Sequence, residues 1–183
     1  MTEEQPYIYV VGEVGEWTPV KIGVTAKPHR RRLAAYQTAN WREVEYLLCR
    51  RVPIERMLVD EFLVHRTLSP WWKKGEWFDV RDVADQIGGW EQLVEAAIAG
   101  EVPGGERFDL VSADGDHRLV GMKRVARTFE ISCSCGHTDL HDGRLPKAVE
   151  QFAATHLGIS WQRPFFEPRR VARRAERNAR NRR

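Results

Sequence analysis

Apolar residues first gather in Tyr7-Ile8-Tyr9-Val10-Val11, an unbroken aromatic and β-branched run that predicts a buried strand. Val20, Ile22 and Val24 then alternate with Lys21 and Gly23, the period of a second strand. Gly12, Gly15 and Pro19 lie between them, so the pair reads as a hairpin with a long loop. After a turn over Thr25–Pro28, Leu33 and Tyr36 sit at helical spacing within Arg30–Thr38, and Val44–Val52 reads as a third strand. Pro53 is a good opening residue for a long helix, with Ile54, Leu58 and Phe62 recurring every fourth residue as a core stripe. Trp71-Trp72-Lys73-Lys74-Gly75 breaks that helix, and Glu76-Trp77-Phe78 is short and extended.

Two helical stretches follow between Asp79 and Gly100, separated at Gly88-Gly89. Val102-Pro103-Gly104-Gly105-Glu106 has the composition of a linker. Beyond it, Phe108–Val111, His117–Lys123 and Val125–Cys133 predict a small antiparallel sheet. Arg144–Leu157 predicts a helix with Leu145, Val149, Phe152 and His156 along one face. The pattern gives an α/β protein without internal repeats: a unit over 1–100 with a three-stranded antiparallel sheet flanked by helices, a β-β-β-α module over 107–160, and an arginine-rich tail over 161–183.

Composition narrows the class. The chain has 183 residues, 42% hydrophobic and 30% charged, which suits one ordinary domain or two small ones. No apolar run approaches the roughly 20 residues of a membrane span, and the acidic Met1-Thr2-Glu3-Glu4 start is unlike a secretory signal, so a cytoplasmic protein is expected. The three cysteines Cys49, Cys133 and Cys135 make no disulfide scaffold. The net charge of +3 hides an asymmetry: residues 162–183 carry nine arginines against Glu167 and Glu176, a net of +7, which leaves −4 on the rest. Such a tail, Arg169, Arg170, Arg173 and Arg174 among it, suits a polyanion by counterion release and phosphate-matching guanidinium forks; a solvated helical end is the plainer reading.

Candidate chemistry lies in two places. In the first unit, Tyr7-Ile8-Tyr9, Lys21-Ile22-Gly23, Arg32 before Leu33, Glu61-Phe62-Leu63-Val64-His65 and Gly75-Glu76-Trp77-Phe78 follow one another in order. This series resembles the GIY-YIG nuclease superfamily, with Tyr7-Ile8-Tyr9 standing for Gly-Ile-Tyr and Lys21-Ile22-Gly23 for Tyr-Ile-Gly. The Lys-Ile-Gly-Val-Thr segment, the Glu-to-His step of four and the Gly-Glu-Trp-Phe box are similar to its phage-type, DNA-binding branch over about residues 7–80. The resemblance implies a metal-dependent DNA endonuclease, or a DNA-binding protein that keeps the fold without cleavage.

By the same resemblance Tyr9 assists deprotonation of the attacking water, Arg32 steadies the phosphate and Glu61 binds one Mg²⁺ or Mn²⁺. Lys21 replaces a tyrosine, but a lysine can hold a phosphate or protonate a leaving group. Elementary requirements agree: phosphodiester hydrolysis needs a deprotonated water, a cation for the non-bridging oxygens and a metal for the developing charge. Tyr9 and Lys21 lie on paired strands and can face the same side. Glu61 and His65 share a helix face, which adds His65 to the catalytic candidates. A carboxylate on that apolar face is costly unless it is paired, for instance with Arg32, or metal-bound. Arg30, Arg31, Trp72, Lys73 and Lys74 are candidates for DNA contact, because aromatic and cationic neighbours stack on bases and touch phosphates.

The second place is Cys133-Ser134-Cys135-Gly136-His137, with His141 and His156 beyond. On a strand, Cys133 and Cys135 project to one face. His156 on the following helix is then a third zinc ligand, and His137 or His141 a fourth. The alternative is a packed turn with buried thiols and a core histidine.

Overall fold

The computed structural model describes residues 6–26, 29–106, 110–142 and 145–159. Among these described residues, strands and helices follow in the order β1 (Tyr7–Glu13), β2 (Val20–Thr25), α1 (His29–Ala39), β3 (Val44–Arg51), α2 (Met57–Thr67), β4 (Trp72–Lys74), β5 (Trp77–Phe78), α3 (Arg81–Ile87), α4 (Trp90–Ala99), β6 (Leu119–Val125), β7 (Thr128–Cys133), β8 (Thr138–Asp142) and α5 (Leu145–Phe152). No helix among the described residues is long and apolar enough to cross a membrane.

The first sheet is antiparallel, in the order β3-β1-β2-β5-β4. It has five strands rather than the expected three. The breaker Trp71–Gly75 and the short Glu76–Phe78 segment fold back on each other and add to β2, where Val20 pairs with Phe78 and Lys21 with Trp77. Strands of two and three residues are too short to show a period of two, so tertiary pairing alone defines them.

The β1–β2 register places Tyr9 opposite Gly23 and Val11 opposite Lys21, so Tyr7, Tyr9, Val11, Lys21, Gly23 and Thr25 share one face. α1 covers that face: Leu33 and Tyr36 pack with Tyr9, Val11, Val44 and Tyr46. The opposite face, Ile8, Val10, Val20 and Ile22, forms the main core with Val64 and Leu68 and with α3 and α4 through Val83, Leu93 and Val94. Helix α2 starts later than Pro53, and Ile54 lies in the preceding turn with half its surface exposed. The stripe therefore begins at Leu58, and Ile54 is not core.

The second sheet, β6-β7-β8, is antiparallel and packs on α5. Its third strand is Thr138–Asp142, which follows the cysteines, whereas Val111 makes only an isolated bridge to Arg118; Phe108 lies outside the described residues. The expected linker is well anchored. Val102 is buried, the Glu106 N–H donates to the Thr67 carbonyl at 3.0 Å, and a Cβ on Gly105 would meet two backbone oxygens at 3.0 Å. Helix α2 serves both cores, because Val59 and Phe62 pack with Leu119, Met122, Ile131 and Phe152.

Candidate functional site

At the middle of the first sheet Gly23 leaves a gap that Tyr9 fills. A Cβ on Gly23 would lie 2.6 Å from the Tyr9 hydroxyl oxygen, 3.0 Å from its Cζ and 3.4 Å from Glu61 Oε1. Glycine at that position lets the tyrosine ring and the carboxylate meet over the strand. Tyr9 is 1% exposed, and its hydroxyl shares hydrogen bonds with Tyr36 and Arg32. Burial first, and the Tyr36 hydroxyl second, push its pKa well above the ordinary tyrosine value, against an opposing pull from Arg32.

Arg32 lies with its guanidinium 5.0 Å from the Tyr36 ring centroid. Its hydrogen bond to Tyr9 holds it firmly protonated. Among the described residues its Nε is buried without a hydrogen-bond partner. Arg32 contacts Tyr9 and Tyr36, and the ion bridge expected between Arg32 and Glu61 is replaced by a backbone contact of the carboxylate.

Glu61 and His65 explain how α2 sits on the sheet. β5 ends after pairing with Lys21, and the Ile22 N–H still reaches the Glu76 carbonyl at 3.0 Å; the Ile22 carbonyl and the Val24 N–H on that edge take side-chain partners instead. Glu61 Oε1 accepts the Val24 N–H at 3.1 Å, and His65 Nε2 meets the Ile22 carbonyl at 2.8 Å. Two side chains four residues apart thus satisfy two strand groups that point the same way. His65 is buried with its ring 5.1 Å from that of Phe78, and burial lowers its pKa, so the neutral ring donates to Ile22. This use of Nε2 gives His65 a positioning part.

Glu61 titrates far from the ordinary carboxylate range. Burial, and then the nearby Glu76, push it up to about 7, against weaker pulls from the Val24 amide, Lys21 and Arg32. Lys21 is ion-paired with Glu76, and its Nζ lies 5.1 Å from the centre of the Tyr36 ring. The structure therefore assembles Tyr9, Lys21, Arg32 and Glu61 and adds Tyr36 and Glu76, which the sequence pattern does not single out. Glu76 stands inside the Gly-Glu-Trp-Phe box, one residue before the partner of Lys21. Tyr36 lies one helical turn after Arg32.

The candidate DNA contacts are more dispersed. Arg31 is exposed on α1, and Lys73 and Lys74 are exposed on the edge strand β4. Lys73 pairs with Asp79 at 2.9 Å, and the Trp72 indole donates to the Gly75 carbonyl at 2.7 Å. The Arg30 side chain and Arg169, Arg170, Arg173 and Arg174 lie outside the described residues. Trp41, 87% exposed with the Arg42 guanidinium 4.8 Å from its ring centroid, is a further aromatic–cation pair of base-stacking type.

In the second unit, His117, Cys133, Cys135 and His156 offer donor atoms that all lie within 4.8 Å of one another, a group that can hold a metal ion such as zinc. Cys133 ends β7, but Cys135 lies in the following turn rather than on the strand. That turn is closed by the Gly136 N–H to Cys133 carbonyl bond at 3.0 Å and the Cys133 N–H to His137 carbonyl bond at 2.8 Å. Burial would raise the Cys133 thiol, yet the Cys135 amide, His117, Cys135 and His156 together lower it to about 6.

Neither histidine expected as fourth ligand joins the group. His137 pairs with Asp139 at 3.0 Å and stacks on His156 at 4.3 Å, and the His141 ring packs edge-on against Phe152. His117 takes their place. The signal for it is register: Leu119 pairs with Cys133, which sets residue 117 opposite the cysteine turn. Cys49, expected as plain core, is half-buried on β3 opposite Tyr9.

The T5orf172 domain model matches residues 6–98, half of the chain, and the chain belongs to that family. This corrects the GIY-YIG assignment, because the match is to a different family. Tyr7 and Lys21 are the two positions where the GIY-YIG pattern already fails. No curated protein and no solved structure matches the chain.

Proposed function

We propose that residues 6–98 act on DNA as a metal-dependent endonuclease, hydrolysing a phosphodiester on the face of β1 and β2 that α1 and α2 border. A T5orf172 domain supports association with nucleic acid, and the site chemistry favours cleavage. The observation that carries the reading is the meeting of Tyr9 and Glu61 over Gly23, with Arg32 hydrogen-bonded to Tyr9 and its Nε unpartnered among the described residues.

Each residue then has a task its surroundings allow. Arg32, permanently charged, supplies the cation for a non-bridging phosphate oxygen. Tyr9 keeps its proton at neutral pH and, buried with its hydroxyl bonded to Tyr36 and Arg32, holds the guanidinium in place rather than serving as the base that the GIY-YIG resemblance implies. Glu61 carries a negative charge that burial penalises, beside a second carboxylate, Glu76. That environment fits a hard cation, and Mg²⁺ or Mn²⁺ held at Glu61 would supply the charge that steadies the reacting phosphate. Lys21, ion-paired with Glu76, would hold or protonate the leaving oxygen. His65 fixes the β2 edge against which Glu61 is set.

A second reading, DNA binding without cleavage, is favoured by Lys21, whose charge is already matched by Glu76. Nicking of supercoiled plasmid in Mg²⁺, Mn²⁺ and EDTA separates the two. Cleavage that needs the cation supports the first; binding with no nicking in either metal supports the second.

A further inference from the structure

We propose that His117, Cys133, Cys135 and His156 form a closed, structural zinc site that fastens the second unit, independent of any chemistry in the first. A tetrahedral ion with metal–sulfur bonds of about 2.3 Å and metal–nitrogen bonds of about 2.0–2.1 Å has ligand–ligand edges of about 3.4–3.8 Å. The separations here already fall in that range: Cys135 Sγ to His156 Nε2 is 3.4 Å and Cys133 Sγ to His117 Nδ1 is 3.7 Å. All donor atoms lie within 4.8 Å of one another, so only a small contraction brings the remaining edges to bonding geometry.

The four ligands come from three separate pieces of chain: the loop before β6, the turn between β7 and β8 with the strand end that leads into it, and the turn of helix after α5. Without an ion, two thiols and two imidazoles crowded together would be a poor packing choice in a sheet whose core otherwise holds Leu119, Met122, Ile131 and Phe152. With one, each piece is fixed to the other two. Four protein ligands leave no open position, the signature of a structural rather than a catalytic zinc. The surroundings complete the arrangement. His137 lies flat on His156 at 4.3 Å and 12°, and the ring of Phe152 lies 5.1 Å from the His156 ring.

The site also matters beyond its own module. The core it closes includes Val59 and Phe62 of α2, the helix that carries Glu61 and His65 on its other side. The Met122 N–H donates to the Glu55 carbonyl at 3.2 Å, just before that helix begins. Loss of the ion should therefore lower the melting temperature of the whole chain, because the two cores share one element.

Metal analysis of the full-length protein tests this, with cobalt as a spectroscopic substitute. About one equivalent of zinc should copurify, and Co²⁺ added to chelator-stripped wild type should give the visible bands of a tetrahedral site with thiolate charge transfer. His117→Asn and Cys135→Ser should each weaken zinc binding at least about tenfold, whereas His137→Asn and His141→Asn should leave it within a factor of about three. Wild-type protein that binds no zinc and gives no tetrahedral cobalt spectrum overturns the proposal, whatever the variants do. Zinc that survives His117→Asn but is lost in His137→Asn overturns the ligand set. Neither outcome depends on plasmid cleavage, so this site and the endonuclease reading stand or fall separately.

Discussion

Replacing Gly23 by alanine gives a sign as well as a size. Gly23 is buried in a strand and has no positive φ, so in open space the change would stabilise by about 0.4–1 kcal/mol through the unfolded chain. Here the new Cβ meets the Tyr9 hydroxyl at 2.6 Å and its Cζ at 3.0 Å. Tyr9 cannot swing aside easily, since it is 1% exposed, packs on Tyr36 and Tyr46, and is hydrogen-bonded to Tyr36 and Arg32. Overpacking of this kind costs about 1–3 kcal/mol. Gly23→Ala should therefore destabilise, and for a chain of this length each kcal/mol lowers Tm by about 2–4 °C. Tyr9→Phe removes the oxygen that clashes first. In a urea-denaturation cycle, the Gly23→Ala, Tyr9→Phe double variant should be more stable than the sum of the single changes by at least about 0.5 kcal/mol. Gly23→Ala that stabilises the protein, or adds independently to Tyr9→Phe, would refute the placement of Tyr9 over Gly23 and with it the site.

Other outcomes follow from the same geometry. Glu61 has an ordinary value of 4.5 and is raised to about 7 in the fold, so the folded state binds more protons between those values and its stability falls as pH rises through that window. Glu61→Gln keeps an acceptor for the Val24 amide and removes the buried charge. Its stability relative to wild type should grow between those two values and level off above the upper one, as pH-dependent urea midpoints will show; a constant difference across the window would mean Glu61 is not buried as described. Truncating residues 162–183 removes nine arginines. The slope of log binding constant against log salt should then flatten by about one unit for each phosphate the tail had neutralised. An unchanged slope would remove the tail from the DNA interface. Arg32→Ala should weaken both DNA binding and any cleavage, measured by anisotropy and nicking in parallel; an effect on neither would take Arg32 out of the phosphate site.

The hairpin of β1 and β2, the helix carrying Arg32 and the strand β3 are legible in sequence because each is long enough to show its period. Val20, Ile22 and Val24 fix which face is core, and that places Lys21 with Tyr9. The edge strands β4 and β5 are not legible, because two or three residues carry no periodicity and owe their conformation to pairing with β2. Ile54 misleads for a related reason: it continues the spacing of Leu58 and Phe62, but the chain there is still in a turn.

The candidate site divides along the same line. Glu61 stands out in sequence as a carboxylate on an apolar helix. Its real partner, the Val24 amide, is a backbone group freed where β5 stops, and no sequence pattern records where a strand runs out of neighbours. Glu76 is close to Lys21 only through the β2–β5 pairing, and His117 reaches Cys133 only through the register of β6 on β7. In the second unit the cysteine pair is visible as chemistry, and reading it as strand displaces β8 from the expected sheet. The GIY-YIG resemblance misleads for a different reason. Its motifs are short and match in order over about residues 7–80, and the match that overturns it is the T5orf172 domain over residues 6–98.

If Glu61 anchors the charge for phosphodiester hydrolysis, one paired measurement decides the matter. Wild type and Glu61→Gln are compared for plasmid nicking with Mg²⁺ or Mn²⁺ and for DNA affinity in the same buffer. Wild type should nick only with the cation, and the variant should lose nicking while keeping its affinity, because the substitution changes charge and barely changes shape. Nicking by Glu61→Gln at the wild-type rate would contradict that role.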